Sequence, residues 1–309
     1  MPNEKSLGVV CCYFNPYNYK SKKDNFLVFF KKTSRQVNNL LVVELIYKNQ
    51  KHSLPSEINS LKVYSDQILW HKENLLNIGI SKLIYQGYEN IAWLDADVIF
   101  NNSHWPGETV EKLQRSNLCQ LFSTSRQYIN KDDSVYRDGC VKYWKISGST
   151  QSINTVYKTG YAWASKSSIL QSCKLYDKAI LGGGDSLLWN ASFSKGFNLY
   201  GIMQNHPILK LRLPSYFQDY FNWSKEWGEL IKGKVDCNDD TISSLHHGRI
   251  KNRKYIKRYE LLKKHDYCPI GDTYYDESIL KCNNKKLTND INKYFFYRNE
   301  DDKLFRFKF

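Results

Sequence analysis

Two aspartates separated by one residue follow a short apolar segment of the chain. Asp95 and Asp97 come directly after Ile91–Leu94, a segment typical of a buried strand. In an open α/β sheet, ligands bind at the carboxyl ends of the strands, where this pair would stand. A hard divalent cation takes oxygen ligands from one or two carboxylates and fills its shell with phosphate oxygens and water. The spacing indicates a site for Mn²⁺ or Mg²⁺, and a pair that only satisfies backbone N–H groups in a turn is the alternative.

A glycine-rich segment that ends in an acid is the second candidate. Thr159–Ala164 contains a glycine, and further along the chain three consecutive glycines, residues 182–184, precede Asp185. Glycines let the backbone approach a ligand closely, and an acid at the start of a helix lies near the positive end of the helix dipole. Taken alone, the pattern fits an aspartate that caps a helix better than a functional acid.

Two adjacent histidines and the cations that follow them form the third candidate. His246 and His247 precede Gly248, and neutral imidazole is a good ligand for Mn²⁺-like ions. We favour His247 as the ligand and place His246 second. Of the cations that follow, Arg253 is the best candidate to clamp a diphosphate, because guanidinium binds two phosphate oxygens at once. A solvated basic helix face is the alternative for most of these cations.

The aspartate pair resembles the D-x-D motif of GT-A glycosyltransferases. Asn77-Ile78-Gly79, ahead of it, is similar to the N-x-G pattern of the large inverting family. The resemblance implies that Asp97 binds the metal and that Asp95 contacts the ribose or donor sugar and assists at the metal. It also implies that Asn77 lies near the donor. Several GT-A families close the metal site with a late histidine, which implies the same role for His247.

The resemblance extends to the glycine-rich segment. Asp185 matches the acid of the xED motif, although Gly184 replaces the usual acidic neighbour. The resemblance implies that Asp185 is the general base, which takes the proton of an acceptor hydroxyl as it attacks the anomeric carbon. Many relatives carry an arginine where this chain has Leu76. Lys72, one helical turn earlier, would supply the missing cation or would be a solvated helix residue.

Hydrophobic periodicity indicates the elements that position these groups. It predicts strands at residues 7–13, 40–46 and 91–94 and helices at residues 24–36 and 68–80. This βαβαβ order favours a largely parallel sheet. Further along, we predict strands at 117–123, 157–164 and 243–246, helices at 165–173 and 185–194, and a basic helix after residue 246. The expected fold is α/β, a GT-A (Rossmann-like) mixed but mostly parallel sheet flanked by helices, with a C-terminal extension.

We expect two parts in the chain: a GT-A domain over residues 1–267 and an extension over residues 268–309. The extension mixes charges with aromatic side chains, which would be costly to leave in water, so we expect it to pack on the core. These aromatic residues are Tyr275, Tyr294, Phe295, Phe296, Tyr297, Phe305, Phe307 and Phe309.

Composition limits the classes of protein and of partner. The net charge of +14 attracts polyanions, which include nucleoside diphosphates, nucleic acid and anionic surfaces. No apolar run approaches the ~20 residues needed to span a membrane, and the first residues do not look like a signal peptide. Eight cysteines without a C-x-x-C pair indicate reduced thiols. We expect a cytoplasmic protein, in a host cytoplasm if the source is viral, with no transmembrane segment.

These observations predict a metal-dependent glycosyltransferase with a UDP- or GDP-type sugar donor and a glycan or glycoprotein acceptor. Tyr13, after the first strand, would stack on the nucleotide base or would belong to the core. A sugar nucleotidyltransferase is the nearest alternative, although the residues after the first strand lack its glycine-rich basic loop. A protein that binds or glycosylates nucleic acid is the other, suggested by Arg249–Arg258 with Tyr255 and Tyr259.

Overall fold

The structure is a computed structural model that describes residues 5–48, 50, 54–129, 133–150, 157–193, 208–211 and 213–301. The strands of this part of the chain are β1 Leu7–Phe14, β2 Leu40–Tyr47, β3 Ser60–Ser65, β4 Asn90–Leu94, β5 Val98–Phe100, β6 Leu118–Gln120, β7 Thr124–Tyr128, β8 Ser134–Gly139, β9 Tyr157–Lys158, β10 Ala162–Lys166, β11 Val235–Cys237, β12 Thr241–Ser244, β13 Thr273–Asp276 and β14 Ile279–Cys282.

The helices cover both faces of the main sheet. They are α1 Lys20–Thr33, α2 Lys72–Tyr85, α3 Trp105–Arg115, α4 Cys140–Ser147, α5 Ser167–Ser172, α6 Gly184–Ala191, α7 Pro214–Ile231, α8 Glu260–Lys264, α9 Pro269–Asp272 and α10 Lys285–Tyr297. Short 3-10 turns occur at Leu209–Leu211, Ile250–Arg253 and Lys257–Tyr259. No helix among the described residues has the length and apolar character to cross a membrane.

The main sheet has the strand order β11-β6-β10-β4-β1-β2-β3. The pairs β1–β2, β2–β3, β1–β4 and β6–β11 are parallel, while β10 runs antiparallel to both of its neighbours. The prediction of a mixed, mostly parallel α/β sheet flanked by helices is therefore confirmed. Because β10 is reversed, its first residue lies beside the last residue of β4, with Ala162 opposite Leu94.

Two apolar layers pack on opposite faces of this sheet. Side chains of a strand alternate between its faces, so Val9 and Cys11 of β1 belong to one layer and Val10 to the other. All three are fully buried. The strands β1 and β4 read as unbroken apolar runs because both of their faces are covered.

A second sheet, of order β5-β12-β7-β8-β9, lies next to the carboxyl end of β4. Its strand β5 begins three residues after the Asp95 turn, and β12 pairs antiparallel with it, with Ser244 opposite Val98. This pairing carries the residues that follow β12 back to the aspartate pair.

The C-terminal part of the described chain packs closely against the rest. Helix α10 is capped by Asn284, whose side chain accepts a hydrogen bond from Leu287 N at 3.1 Å. Its apolar face, made of Leu287, Ile291, Tyr294 and Phe295, is buried. Phe305, Phe307 and Phe309 lie outside the described residues.

Several predicted boundaries are wrong for identifiable reasons. Helix α2 begins at Lys72 rather than Ile68, because Trp70 N donates to Ile180 O at 3.0 Å instead of entering the helix. The strand predicted at residues 157–164 is divided between two sheets, because Tyr161 has a φ of 85° that a strand does not tolerate. The basic helix predicted after residue 246 consists of two 3-10 turns before the short helix α8.

Candidate active site

The carboxyl ends of β1 and β4 form one wall of a cavity. These strands are parallel, with Cys11 opposite Leu94, so the turn after Leu94 opens at the same edge as the end of β1. The cavity has a volume of about 130 Å³, several times what one water molecule needs. It is lined by Cys12, Tyr13, Phe14, Lys22, Asn25, Trp70, Lys72, Asp95, Ala96, Asp97, His247 and Arg298.

Lys72 joins two of the predicted acids. Its Nζ lies 2.6 Å from Asp95 Oδ1 and 2.8 Å from Asp185 Oδ2. Lys72 is only 7% exposed, so it is not a solvated helix residue. Because it is the first residue of α2, the start of this helix fixes its position at the edge of the sheet. Lys72 thus brings the two aspartates together.

Asp185 lies in the first turn of α6 but does not cap the helix. The cap is Gly183, which has a φ of 105°, and the aspartate carboxylate turns to Lys72 instead. Gly160 leaves room for this arrangement, because a Cβ at that position would lie 3.2 Å from Asp185 Oδ2 and 3.9 Å from Asp95 Oδ2. The two glycine-containing segments singled out in the sequence therefore meet at the aspartates.

His247 is brought to Asp97 by the β5–β12 pair. Leu245 N donates to Asp97 O at 2.9 Å, which extends this ladder past the end of β12. His247 Nε2 then lies 2.8 Å from Asp97 Oδ2. The opposite ring nitrogen, Nδ1, lies 3.3 Å from Glu300 Oε2. Among the described residues, no group of three or more His, Cys, Asp or Glu side chains is arranged to hold a metal ion.

The two aspartates of the pair differ in electrostatics. Burial raises the pKa of Asp95 to about 6, opposed by Lys72 and reinforced by Asp185 and Asp97. For Asp97, burial acts in the same direction, but the hydrogen bond and charge of His247 together with the charges of Arg253 and Lys22 outweigh it and lower the pKa. Asp97 is therefore the more readily ionised of the two, as a direct cation ligand must be.

Three residues that were predicted to bind the sugar donor have different positions relative to the cavity. Asn77 is 6% exposed and does not line the cavity: its side chain exchanges hydrogen bonds with Leu175, Nδ2 to O at 2.9 Å and Oδ1 from N at 3.0 Å. Arg253 lies outside the cavity wall and donates to His247 O at 3.0 Å. Tyr13 lines the cavity but is 3% exposed and packs on Phe26.

Other residues at the cavity were not anticipated from the sequence. Lys22, from α1, donates to Phe14 O at 2.9 Å, and Arg298 enters the wall after the end of α10. Arg298 stacks 5.2 Å from the Trp70 ring, which also lines the cavity. In the sequence, the only hints of these contacts were an aromatic residue before helix α2 and an arginine in the C-terminal segment. The two are far apart in the chain, so no motif links them.

Among known proteins, only solved structures show similarity to this chain. No protein-family model matches the chain, and no curated protein matches it. Glucosyl-3-phosphoglycerate synthase from Mycobacterium tuberculosis, solved with Mn²⁺, UDP and glucosyl-3-phosphoglycerate, is 12% identical with a TM-score of 0.39. The match covers 90% of this chain and 87% of that one. 4-Diphosphocytidyl-2C-methyl-D-erythritol synthase from Anaerococcus prevotii is also 12% identical, with a TM-score of 0.36. That match covers 77% of this chain and 88% of the other. At these TM-scores and identities, the likeness carries no argument about activity.

Proposed function

We propose that the protein is a metal-dependent glycosyltransferase of the GT-A type, which moves a sugar from a UDP- or GDP-type donor to an acceptor hydroxyl with inversion. One observation supports this most strongly. The acids and the histidine singled out in the sequence converge at one edge of a mostly parallel sheet, where ligands of such sheets bind. Lys72 and the cavity connect them into a single site.

The side chains of Asp97 and His247 fit a divalent cation. A carboxylate oxygen and an imidazole nitrogen face each other at 2.8 Å in the cavity wall, and both suit Mn²⁺. Two protein ligands leave the remaining positions to water and donor phosphates, as Mg²⁺-like sites require. When bound, the ion offsets the negative charge that builds on a departing diphosphate.

The donor's phosphates would contact the cations of the cavity wall. Lys22 and Arg298 reach this wall, whereas Arg253 supports the His247 backbone from outside it. Under this proposal they take the diphosphate-binding role that the sequence suggested for Arg253. Tyr13 and Trp70 border the space in which the base would lie.

Asp185 would act as the general base. The acceptor oxygen attacks the anomeric carbon, the bond from that carbon to the diphosphate oxygen breaks, and the acceptor proton passes to the Asp185 carboxylate. Lys72 lines the cavity and contacts this carboxylate, which is not itself among the lining residues, and under the proposal it also holds Asp95 beside the donor sugar. The lysine thereby fixes the distance between the group that receives the proton and the group that orients the donor.

The test is Mn²⁺ binding and turnover in Asp97→Ala. Loss of one of two protein ligands is expected to abolish Mn²⁺-dependent turnover of a UDP-, GDP- or dTDP-sugar and to weaken Mn²⁺ binding, measured by electron paramagnetic resonance, at least tenfold. Asp239→Ala is the matched control, because that carboxylate is 83% exposed. Circular dichroism establishes that both variants fold.

Two results would overturn the proposal. One is Mn²⁺-dependent turnover in Asp97→Ala that equals the rate of the wild type. The other is release of pyrophosphate from a nucleoside triphosphate and a sugar phosphate, which would identify a sugar nucleotidyltransferase. If the protein binds random oligonucleotides in a salt-sensitive manner, and Mn²⁺ and sugar nucleotides do not affect this binding, a nucleic-acid-binding protein is favoured instead.

A further inference from the structure

Glu300 is a buried carboxylate on the far side of His247 from the aspartate pair. Its Oε2 lies 3.3 Å from His247 Nδ1, while His247 Nε2 lies 2.8 Å from Asp97 Oδ2. The two nitrogens of an imidazole ring point in opposite directions, so a contact at one of them sets the direction of the other. The Glu300 contact therefore directs Nε2 at Asp97.

Glu300 is itself held in place by a second partner. Arg298 Nε lies 2.7 Å from Glu300 Oε1, a contact that pairs the charges without the alignment of a hydrogen bond. Both side chains are only 4% exposed. The two carboxylate oxygens thus have different partners, Oε1 with the arginine and Oε2 with the histidine, and the carboxylate is not free to rotate.

The backbone around Glu300 is fixed as well. Ser21 Oγ donates to Glu300 O at 2.8 Å, and Asp301 accepts from Ser21 N at 2.8 Å and from Lys20 N at 3.0 Å, at the start of α1. Gly248 adopts a φ of 75° against this segment, and a Cβ there would lie 2.7 Å from Glu300 Cα. The residue after His247 is thus a glycine at a place where a side chain would push Glu300 away.

We propose that Glu300 is a positioning residue for His247, so that the C-terminal segment completes the metal site. This inference rests on the proposed function. A metal-binding histidine commonly gives its other N–H to a carboxylate, which fixes the tautomer and the ring orientation, and loss of such a partner typically costs 10- to 100-fold in metal affinity. Nothing in the sequence resemblance assigns a role to Glu300.

The experiment compares Glu300→Gln with Asp301→Asn in the full chain. Each variant removes one negative charge from the same segment, but Asp301 caps α1 and Glu300 contacts His247. With MnCl₂ and UDP as probes, we expect Glu300→Gln to weaken Mn²⁺ binding about tenfold or more and Asp301→Asn to change it less than about twofold. Electron spin echo envelope modulation of bound Mn²⁺, with His247→Gln to identify the histidine nitrogen, is expected to show this nitrogen at the metal in the wild type and to lose it in Glu300→Gln.

The outcomes separate this inference from the proposed function. If the wild type binds Mn²⁺ through Asp97 but Glu300→Gln binds it equally well, the positioning role is wrong and the proposed function stands. If both variants weaken binding equally, the effect is one of net charge and the positioning role is again wrong. Absence of Mn²⁺ binding in the wild type overturns both. An unchanged histidine-nitrogen signal at Mn²⁺ in Glu300→Gln also contradicts the inference, even if the variant is less stable.

Discussion

Glu73 is a buried acid beside the proposed base, and it has the clearest pH-dependent role among the residues of the site. It is 5% exposed, and its Oε2 has no hydrogen-bond partner among the described residues. Burial raises the pKa of its carboxyl to about 8, with Lys72 acting against burial and Asp185 adding to it. An acid with a raised pKa in the folded protein keeps its proton there while the same acid in the unfolded chain has lost it.

This difference predicts how stability changes with pH. Between about pH 4.5 and pH 8 unfolding releases the Glu73 proton, so the free energy of unfolding falls as the pH rises. Glu73→Gln removes this pH-dependent loss of stability, because glutamine has no proton to release. From pH 5 to pH 8.5, its Tm is expected to fall less than that of the wild type, by at least about 2 °C, in thermal unfolding scans. Glu229→Gln, an exposed control, is expected to follow the wild type, and a Glu73→Gln curve parallel to both would contradict the assignment.

The sequence predicted some site residues better than others. Asp95, Asp97, Asp185 and His247 were found because their spacing relative to a strand, a glycine-rich segment or a glycine is itself a signal. Their roles stay proposals. Arg298 and Glu300 were not found, because their approach to the site depends on how the C-terminal segment docks, and no local pattern encodes a long-range contact. Lys22 was not found because it is one of several lysines in α1, and nothing in the sequence indicates which of them contacts the end of β1.

At the scale of elements, the Asn77-Ile78-Gly79 segment has a structural explanation. Asn77 binds the Leu175 backbone, and Gly79 lets α2 approach the sheet, since a Cβ there would lie 2.5 Å from Val10 Cγ2 and 2.9 Å from Val43 Cγ2. The segment thus sets how closely α2 packs on β1 and β2. Because Lys72 is the first residue of the same helix, this packing also sets where the lysine meets the two aspartates.

A methyl group at position 79 is therefore expected to destabilise the protein. Gly79→Ala overpacks the contact between helix and sheet, at a cost of about 1–3 kcal/mol, and lowers Tm by roughly 2 °C or more. Gly107→Ala, in α3, is the control because no atom lies within 4 Å of its added Cβ. Alanine has a higher helix propensity than glycine, so the Tm of Gly107→Ala is expected to equal or exceed that of the wild type. Equal Tm values for the two variants would count against the packing explanation.

Elements differed in how well the sequence predicted them. Strands β1, β2 and β4 read as apolar runs because both faces of the sheet are covered. The edge strand Ser60–Ser65 was missed, since it is mostly half-exposed and polar. The strand predicted at 157–164 failed at Tyr161, because a positive φ in a non-glycine residue leaves no trace in an apolar pattern.

At the scale of the whole molecule, we propose that residues 268–309 form an extension on a domain of residues 1–267 and that neither part is stable alone. The extension contributes buried apolar side chains to the main core, among them Leu280, Leu287 and Ile291. Each such side chain contributes roughly 1.5–3 kcal/mol when fully buried. Several together approach the roughly 5–15 kcal/mol by which a whole protein is stable.

Removal of residues 268–309 is therefore expected to abolish cooperative unfolding. Urea titration followed by circular dichroism measures this, and a chain that ends at residue 301 is the control because it keeps every contact described for the extension. A truncated chain that unfolds cooperatively at the same urea concentration as the control would contradict the proposal.

The docking of Glu300 and Asp301 against residues near the start of the chain has a consequence for biosynthesis. A ribosome delivers the amino end first, so β1, α1 and even His247 emerge well before the carboxylate that faces the imidazole ring. Because residues 1–267 are not expected to be stable alone, the growing polypeptide would complete its fold only when this segment is made, and the histidine proposed to bind the metal would gain its carboxylate partner at the same point. Under the proposed function, a stable fold and a complete metal site would therefore be reached together during translation.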